Sequence, residues 1–109
     1  MNRKELGRLG EEQAAAMLRA KGYTIVERNW SCRAGELDLI ARRGYTVVFV
    51  EVKTRRSLDF GTPAEAVNAD KRRHIRHAAS SYLKMNHMEN VDVRFDVVEI
   101  YMNHIERAF

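Results

Sequence analysis

The chain has 109 residues, enough for one compact domain with a real core and too few for two. Hydrophobic residues make up 45% and charged residues 31%, with no Pro/Gly/Ser-rich linker, internal repeat or low-complexity tract, a balance that excludes a disordered or fibrous chain. The formal net charge of +4 favours a polyanionic partner such as nucleic acid, and the single cysteine, Cys32, excludes an intramolecular disulfide and fits a reducing cytoplasm.

The start, "MNRKELGRLGEEQ", carries no continuous apolar run, so neither a signal peptide nor a membrane span is expected. From about Lys4 to Lys21, Leu6, Leu9, Ala14, Met17 and Leu18 recur at three- and four-residue spacing, which predicts an amphipathic helix ended by Gly22. "YTIVERNW" predicts a strand over Tyr23 to Asn29, and "SCRAG" reads as a loop. "ELDLIARRGYTVVFVEVKTRR" predicts strands at 36–42 and 46–55 around an Arg43-Gly44 turn, an antiparallel hairpin. "GTPAEAV" predicts a helix start with Thr62 as N-cap, Pro63 as the first helical residue and Glu65 closing a capping box. That helix should run to Lys84, burying Val67, Ile75, Ala78, Ala79, Tyr82 and Leu83. A last strand is expected over Val91 to Met102. A long helix between the third and fourth strands makes those two parallel, so the expected fold is α/β, an αβββαβ mixed sheet with helices packed on it.

The strand "VVFVEVKTRR" raises a chemical problem. Among Val47, Val48, Phe49, Val50 and Val52 it carries Glu51 and Lys53, which share one face because side chains alternate along a strand. Burying such charges is costly unless they are paired or bind a metal. In the preceding strand Asp38 interrupts an apolar run between Leu37 and Leu39. A two-residue loop, Arg43-Gly44, sets Asp38 across from Phe49; a four-residue loop sets it directly opposite Glu51. Any even loop puts Asp38, Glu51 and Lys53 on one face. Two carboxylates so placed repel, and a hard divalent ion, Mg²⁺ or Mn²⁺, relieves the repulsion. Glu11 lies on the inward stripe of the first helix and is the third acid, whereas Glu12 turns toward solvent. The competing interpretation is a salt-bridge cluster on a solvated sheet face, since a Glu-x-Lys alone is a weak motif.

Positive charge gathers beside this strand in "KTRR" at 53–56 and "KRRHIRH" at 71–77, which makes Arg55, Arg56, Lys71, Arg72, Arg73 and Arg76 the candidate phosphate contacts. Solvated helix faces are the alternative for such runs. Lys71 shares the stripe of Val67, Ile75 and Ala78, so its ammonium is expected near the sheet's acids or snorkelling at the core's edge. His74 and His77 lie three apart but have no evident third ligand. Trp30 and Tyr45 are candidates for stacking on bases or for the core.

Taken in order, "GRLGEEQAAAMLRAKGY", "RNW", "GELDLIA", "VFVEVKTR", "GTPAEAV", Lys71 to Ile75 and "RFDVV" resemble the YraN family of small uncharacterised bacterial proteins, over nearly the whole chain. That family in turn resembles the restriction-endonuclease-like superfamily and its Holliday-junction resolvases, whose PD-(D/E)xK motif binds Mg²⁺ and cleaves phosphodiesters. The resemblance implies a restriction-endonuclease-like fold, with Asp38 as the motif's aspartate, Glu51 its acid, Lys53 its lysine and Glu11 the helix glutamate of the resolvase branch. Leu37 stands where the motif has proline. A nuclease-like activity on DNA, on branched or flapped structures, follows as the implied function, with a symmetric homodimer as the implied assembly and a cytoplasmic setting. A non-catalytic nucleic-acid-binding module or adaptor is the alternative.

Overall fold

The computed structural model describes residues 1–56 and 67–109. Its elements run α1 (Arg3–Ala20), β1 (Thr24–Cys32), β2 (Gly35–Arg43), β3 (Thr46–Arg55), α2 (Ala69–Met85) and β4 (Asp92–Tyr101). The order αβββαβ is that expected for a restriction-endonuclease-like core. The four strands form one sheet in the order β1-β2-β3-β4, with β1–β2 and β2–β3 antiparallel and β3–β4 parallel. The crossover through α2 accounts for the parallel pair.

Each helix covers one face of the sheet. Ala14, Ala15 and Leu18 of α1 pack with Leu39, Ala41, Val48 and Val50. Ile75, Ala78, Ala79 and Tyr82 of α2 pack with Leu37, Ile40, Val47 and Phe49. Because β3 feeds both cores, its apolar residues are buried on both sides, which explains the near-continuous run "VVFV". No helix among the described residues is long and apolar enough to cross a membrane.

Several boundaries differ from those expected. Asn2 caps α1, its side chain accepting from Glu5 N–H at 2.8 Å, and Gly22 (φ 92) ends the helix. Tyr23 N–H bonds Leu18 C=O and Gly22 N–H bonds Arg19 C=O, the two bonds of a Schellman motif. β1 continues through Ser31 and Cys32, so the loop predicted for "SCRAG" shrinks to a turn at Arg33-Ala34. The second hairpin pairs Arg43 with Thr46, so its loop is Gly44-Tyr45, one residue later than predicted. Gly44 takes φ 60, the positive value that a two-residue hairpin turn requires at its first position. The Thr62–Glu65 capping box lies outside the described residues. Within them, α2 begins at Ala69 because Asn68, with extended ψ, caps it through Lys71 N–H at 2.9 Å.

The buried stripe of α1 also differs. Leu9 and Met17 are exposed, and the contact face is Gly10, Ala14, Ala15 and Leu18. Small residues there bring the helix axis close to the sheet: a Cβ on Gly10 would fall 1.7 Å from Thr54 Oγ1 and 2.9 Å from Thr54 Cβ. This approach sets the reach of the neighbouring Glu11 toward the strands. Gly10→Ala is expected to cost about 1–3 kcal/mol by overpacking, read by urea denaturation. Adding Thr54→Ala should recover part of the loss; equal stability of wild type and Gly10→Ala would mean that α1 does not sit this close to β3.

Candidate functional site

Glu51 lies on an inner strand and is only 5% exposed. The β2–β3 ladder runs from Arg43↔Thr46 to Leu39↔Val50 and stops there, while the Asp38 and Glu51 side chains lie within hydrogen-bonding reach of each other. The hairpin loop is even, and strand alternation breaks at Asp38, since Leu37 and Ile40 pack in one core and Leu39 in the other. Beyond Leu39↔Val50, Asp38 Oδ2 accepts the Val52 N–H at 2.8 Å, so a carboxylate takes the place of a ladder carbonyl. That bond holds the Asp38 carboxylate against β3.

Burial first, and the charge of Asp38 second, push the Glu51 pKa from 4.5 up to about 7. A hydrogen bond to Asp38 that only protonated Glu51 can donate acts in the same direction, while Lys71 opposes it. Lys71 reaches across from α2, its Nζ 3.3 Å from Glu51 Oε2. The lysine expected on the α2 stripe does therefore meet the sheet's acids.

Lys53 completes this group. Contact with Lys71, then burial, lowers its pKa. For Lys71 burial acts against the ammonium, but contact with Lys53 and attraction to Glu51 outweigh it, and its pKa is raised. The two lysines are thus pushed in opposite directions, Lys71 holding its proton more firmly than an ordinary lysine and Lys53 less firmly.

Glu11 is half-buried at the other side of Asp38. Burial, followed by the charge of Asp38, raises its pKa, and a hydrogen bond from Asn29 works the other way. Glu12, by contrast, is exposed and pairs with Arg28 at 2.5 Å, so the choice between the neighbouring glutamates follows the helix rotation. With its amide nitrogen turned toward the acids, Asn29 reaches Glu11 Oε2 and Glu36 Oε1, both at 3.3 Å. Asn29 adopts φ 49 and lies between the register pairs Arg28↔Leu39 and Trp30↔Leu37, beside Asp38. Sequence reasoning missed both Asn29 and Glu36. The signal for Asn29 was its type: asparagine is disfavoured in strands and tolerates left-handed backbone. Glu36 carried none, as an exposed glutamate at a strand start.

The basic residues divide. Arg72 and Arg76 are exposed on α2. Arg73 pairs with Asp70 in the helix's first turn. Arg55 forms an ion pair with Glu99 at 2.9 Å and its side chain is only 11% exposed, so its charge is engaged within the sheet. Arg56 donates to Met1 C=O at 2.6 Å. Trp30 packs edge-on against Tyr82 at 5.3 Å, whereas Tyr45 stands exposed at the hairpin tip. Among the described residues no three His, Cys, Asp or Glu side chains gather closely enough to hold a metal by themselves. What the site offers is a carboxylate pair.

The family model described as "Uncharacterised protein family UPF0102" matches residues 10–100. The chain belongs to that family. It is the family of the YraN resemblance drawn from the sequence. A UPF0102 protein of Caldicellulosiruptor saccharolyticus is 52% identical over 94% of this chain and 87% of its own length. One from Nocardia farcinica is 54% identical over 93% of this chain and 80% of its own, and one from Syntrophomonas wolfei is 50% identical over the full length of both.

The raised pKa of Glu51 has a measurable consequence for this UPF0102 member. A folded-state pKa above the unfolded value of 4.5 contributes stability that is full below about pH 4.5 and lost as pH rises through about 7. Glu51→Gln should therefore gain on wild type by about 1–3 kcal/mol between pH 5 and pH 8, in chelator. Urea denaturation at both pH values measures it; a constant difference would show that Glu51 ionises without penalty.

Proposed function

We propose that this protein is a metal-dependent phosphodiester hydrolase acting on DNA, with branched or flapped forms as its substrates. The observation that carries the reading is the pairing of buried Glu51 with half-buried Asp38, two oxygen-donor side chains within hydrogen-bonding reach whose charges repel. Mg²⁺ suits such a pair, because it is held by one or two carboxylates and takes water and substrate phosphate for the rest. Asp38 and Glu51 would hold the cation, Mg²⁺ or Mn²⁺, with Glu11 a further acid near Asp38 and not gathered closely enough to be a third ligand. When bound, it supplies Lewis-acid stabilisation of charge on the phosphate.

The remaining steps belong to the chain's own side chains. Lys53, with its lowered pKa, accepts a proton from the attacking water or orients it. Lys71, held protonated, is a fixed positive charge for the phosphate once Glu51 no longer needs it. Arg72 and Arg76 hold the strand along α2.

Purified protein is expected to cleave a panel of branched, flapped and single-stranded DNAs only with Mg²⁺ or Mn²⁺, with losses of about 100-fold or more in Glu51→Gln and Lys53→Ala. Undiminished cleavage by either variant would remove that residue from the mechanism. A thermal melt tests the metal apart from turnover. At a hundredfold excess over its Kd the metal should stabilise wild type by about 2.7 kcal/mol. Asp38→Asn keeps an oxygen acceptor for Val52 N–H, so it should fold normally and show no metal response. Lys71→Ala removes the competing ammonium and should respond at lower metal concentration. Equal responses in wild type and Asp38→Asn would put the cation elsewhere.

A second reading, binding without turnover, is favoured by one observation: Lys71 already gives Glu51 a cation, so the acid has a partner without metal. It predicts salt-sensitive DNA binding with no cleavage under any metal in the panel above.

A further inference from the structure

The sheet ends in two edge strands, β1 and β4, and they are not alike. β1 is broken by a bulge between Ile25 and Glu27, a device that blunts an edge. β4 pairs with β3 without a break from Thr46↔Asp92 to Arg55↔Tyr101, and its ten residues include no Pro, Gly or Lys. It presents Val93, Phe95 and Val97 at 42, 44 and 37% exposure. A long, regular, apolar edge is a template for another strand.

The ladder shows which way each residue of β4 turns. Asp92 N–H bonds Tyr45 C=O and Met102 N–H bonds Arg55 C=O, so even-numbered residues aim their backbone groups at β3 and odd-numbered ones aim theirs at the open edge. Side chains alternate as well: Phe95 stacks on Phe49 on the α2 face with ring centroids 5.6 Å apart, whereas Val98 belongs to the α1 core. Val93, Phe95 and Val97 thus join outward backbone groups to an exposed apolar row. Arg94 and Asp96 stand between them on the other face, Arg94 Nε 2.9 Å from Asp96 Oδ1.

We infer that β4 pairs antiparallel with β4 of a second copy of this chain, about a two-fold axis at Phe95, to make one continuous sheet. The run Val93-Arg94-Phe95-Asp96-Val97 is its own complement in that register. Phe95 faces the partner's Phe95, Val93 the partner's Val97 and Arg94 the partner's Asp96. The odd-numbered pairs are the hydrogen-bonded ones, and the Arg94–Asp96 pairs fall at the intervening positions, where side chains stand closest. Moving the axis one residue either way sets Arg94 against Arg94 or Asp96 against Asp96, so like charges exclude the neighbouring registers. Arg94 already bonds its own Asp96 and, at 2.5 Å, Tyr23 Oη; the partner's carboxylate adds to these contacts. A run complementary to itself selects a second copy over a foreign strand, because a two-fold contact must match one surface to itself.

Sedimentation equilibrium over a concentration series should find the wild-type full chain passing from monomer to dimer. Arg94→Asp opposes aspartates at both symmetric pairs, and Asp96→Arg opposes arginines; each should raise the dimer Kd roughly ten- to a hundredfold. An equimolar mixture of the two variants restores opposite charges at both pairs and should form heterodimers with near wild-type affinity, which chains that had merely lost their fold could not do. Amide hydrogen exchange reads the backbone pairing: Val93, Phe95 and Val97 N–H should gain protection as wild type is concentrated, and lose it in either variant alone. Wild type that stays monomeric throughout the series, single variants that associate like wild type, a mixture no more dimeric than its components, or the three amides left unprotected in the dimer would each overturn the assignment. Neither metal nor DNA takes part, so failure of the hydrolase reading would leave this contact standing.

Discussion

Everything in the site follows from one constraint: Glu51 is buried in an inner strand beside an aspartate that the β3 backbone holds in place. Removing an ion from water costs several kcal/mol even after relaxation. A single opposite charge about 4 Å away returns about 4 kcal/mol at an effective dielectric of 20. Lys71 supplies that one charge, but Asp38 supplies a repulsion of similar kind, and the balance leaves Glu51 titrating near 7 rather than near 4.5. A fold selected for stability alone would place an apolar residue here, as replacement of buried ion pairs by packed hydrophobic groups is often neutral or stabilising. Stability alone therefore does not account for Glu51 at this position.

The architecture supplies the constraint by arranging three strands and two helices around it. Asp38 is held in place because the β2–β3 ladder stops at Leu39↔Val50 and the next strand N–H, that of Val52, bonds its carboxylate. Glu11 approaches because α1 carries Gly10 where Thr54 needs room. Lys71 approaches because Asn68 fixes the first turn of α2 and Ile75 and Ala78 anchor the turns beyond it in the core under Phe49. Asn29, in left-handed backbone on β1, ties Glu11 and Glu36 together beside Asp38. Each functional side chain is thus set by a neighbouring residue whose role is packing or capping.

Much of this was legible in the sequence for definite reasons. Charged residues inside an apolar strand run stand out, so Glu51 and Lys53 could be read directly, as could Asp38 between Leu37 and Leu39. The alternation of helix and strand patterns fixed the element order. What escaped depends on three-dimensional placement. The stripe of α1 was misread because hydrophobicity drew attention to Leu9 and Met17, whereas close packing there is set by glycine and alanine. The capping box expected at Thr62–Glu65 lies outside the described residues, and nothing in the sequence reading singled out Asn68, which caps α2 at Ala69. Arg55 looked like a surface cation because nothing in "KTRR" reveals that the neighbouring parallel strand offers Glu99. Glu36 and Asn29 matter only through a helix that lies far from them in sequence.

The two lysines show how contact between identical side chains can push them in opposite directions. Lys71 has Glu51 within salt-bridge distance and so holds its proton; Lys53, beside a neighbour already charged, releases its own more easily. The same ammonium thus stabilises the buried acid and primes the second lysine. In the proposed metal-bound state a cation beside Asp38 and Glu51 would take over the first task, and the ammonium of Lys71 would then be available to a phosphate.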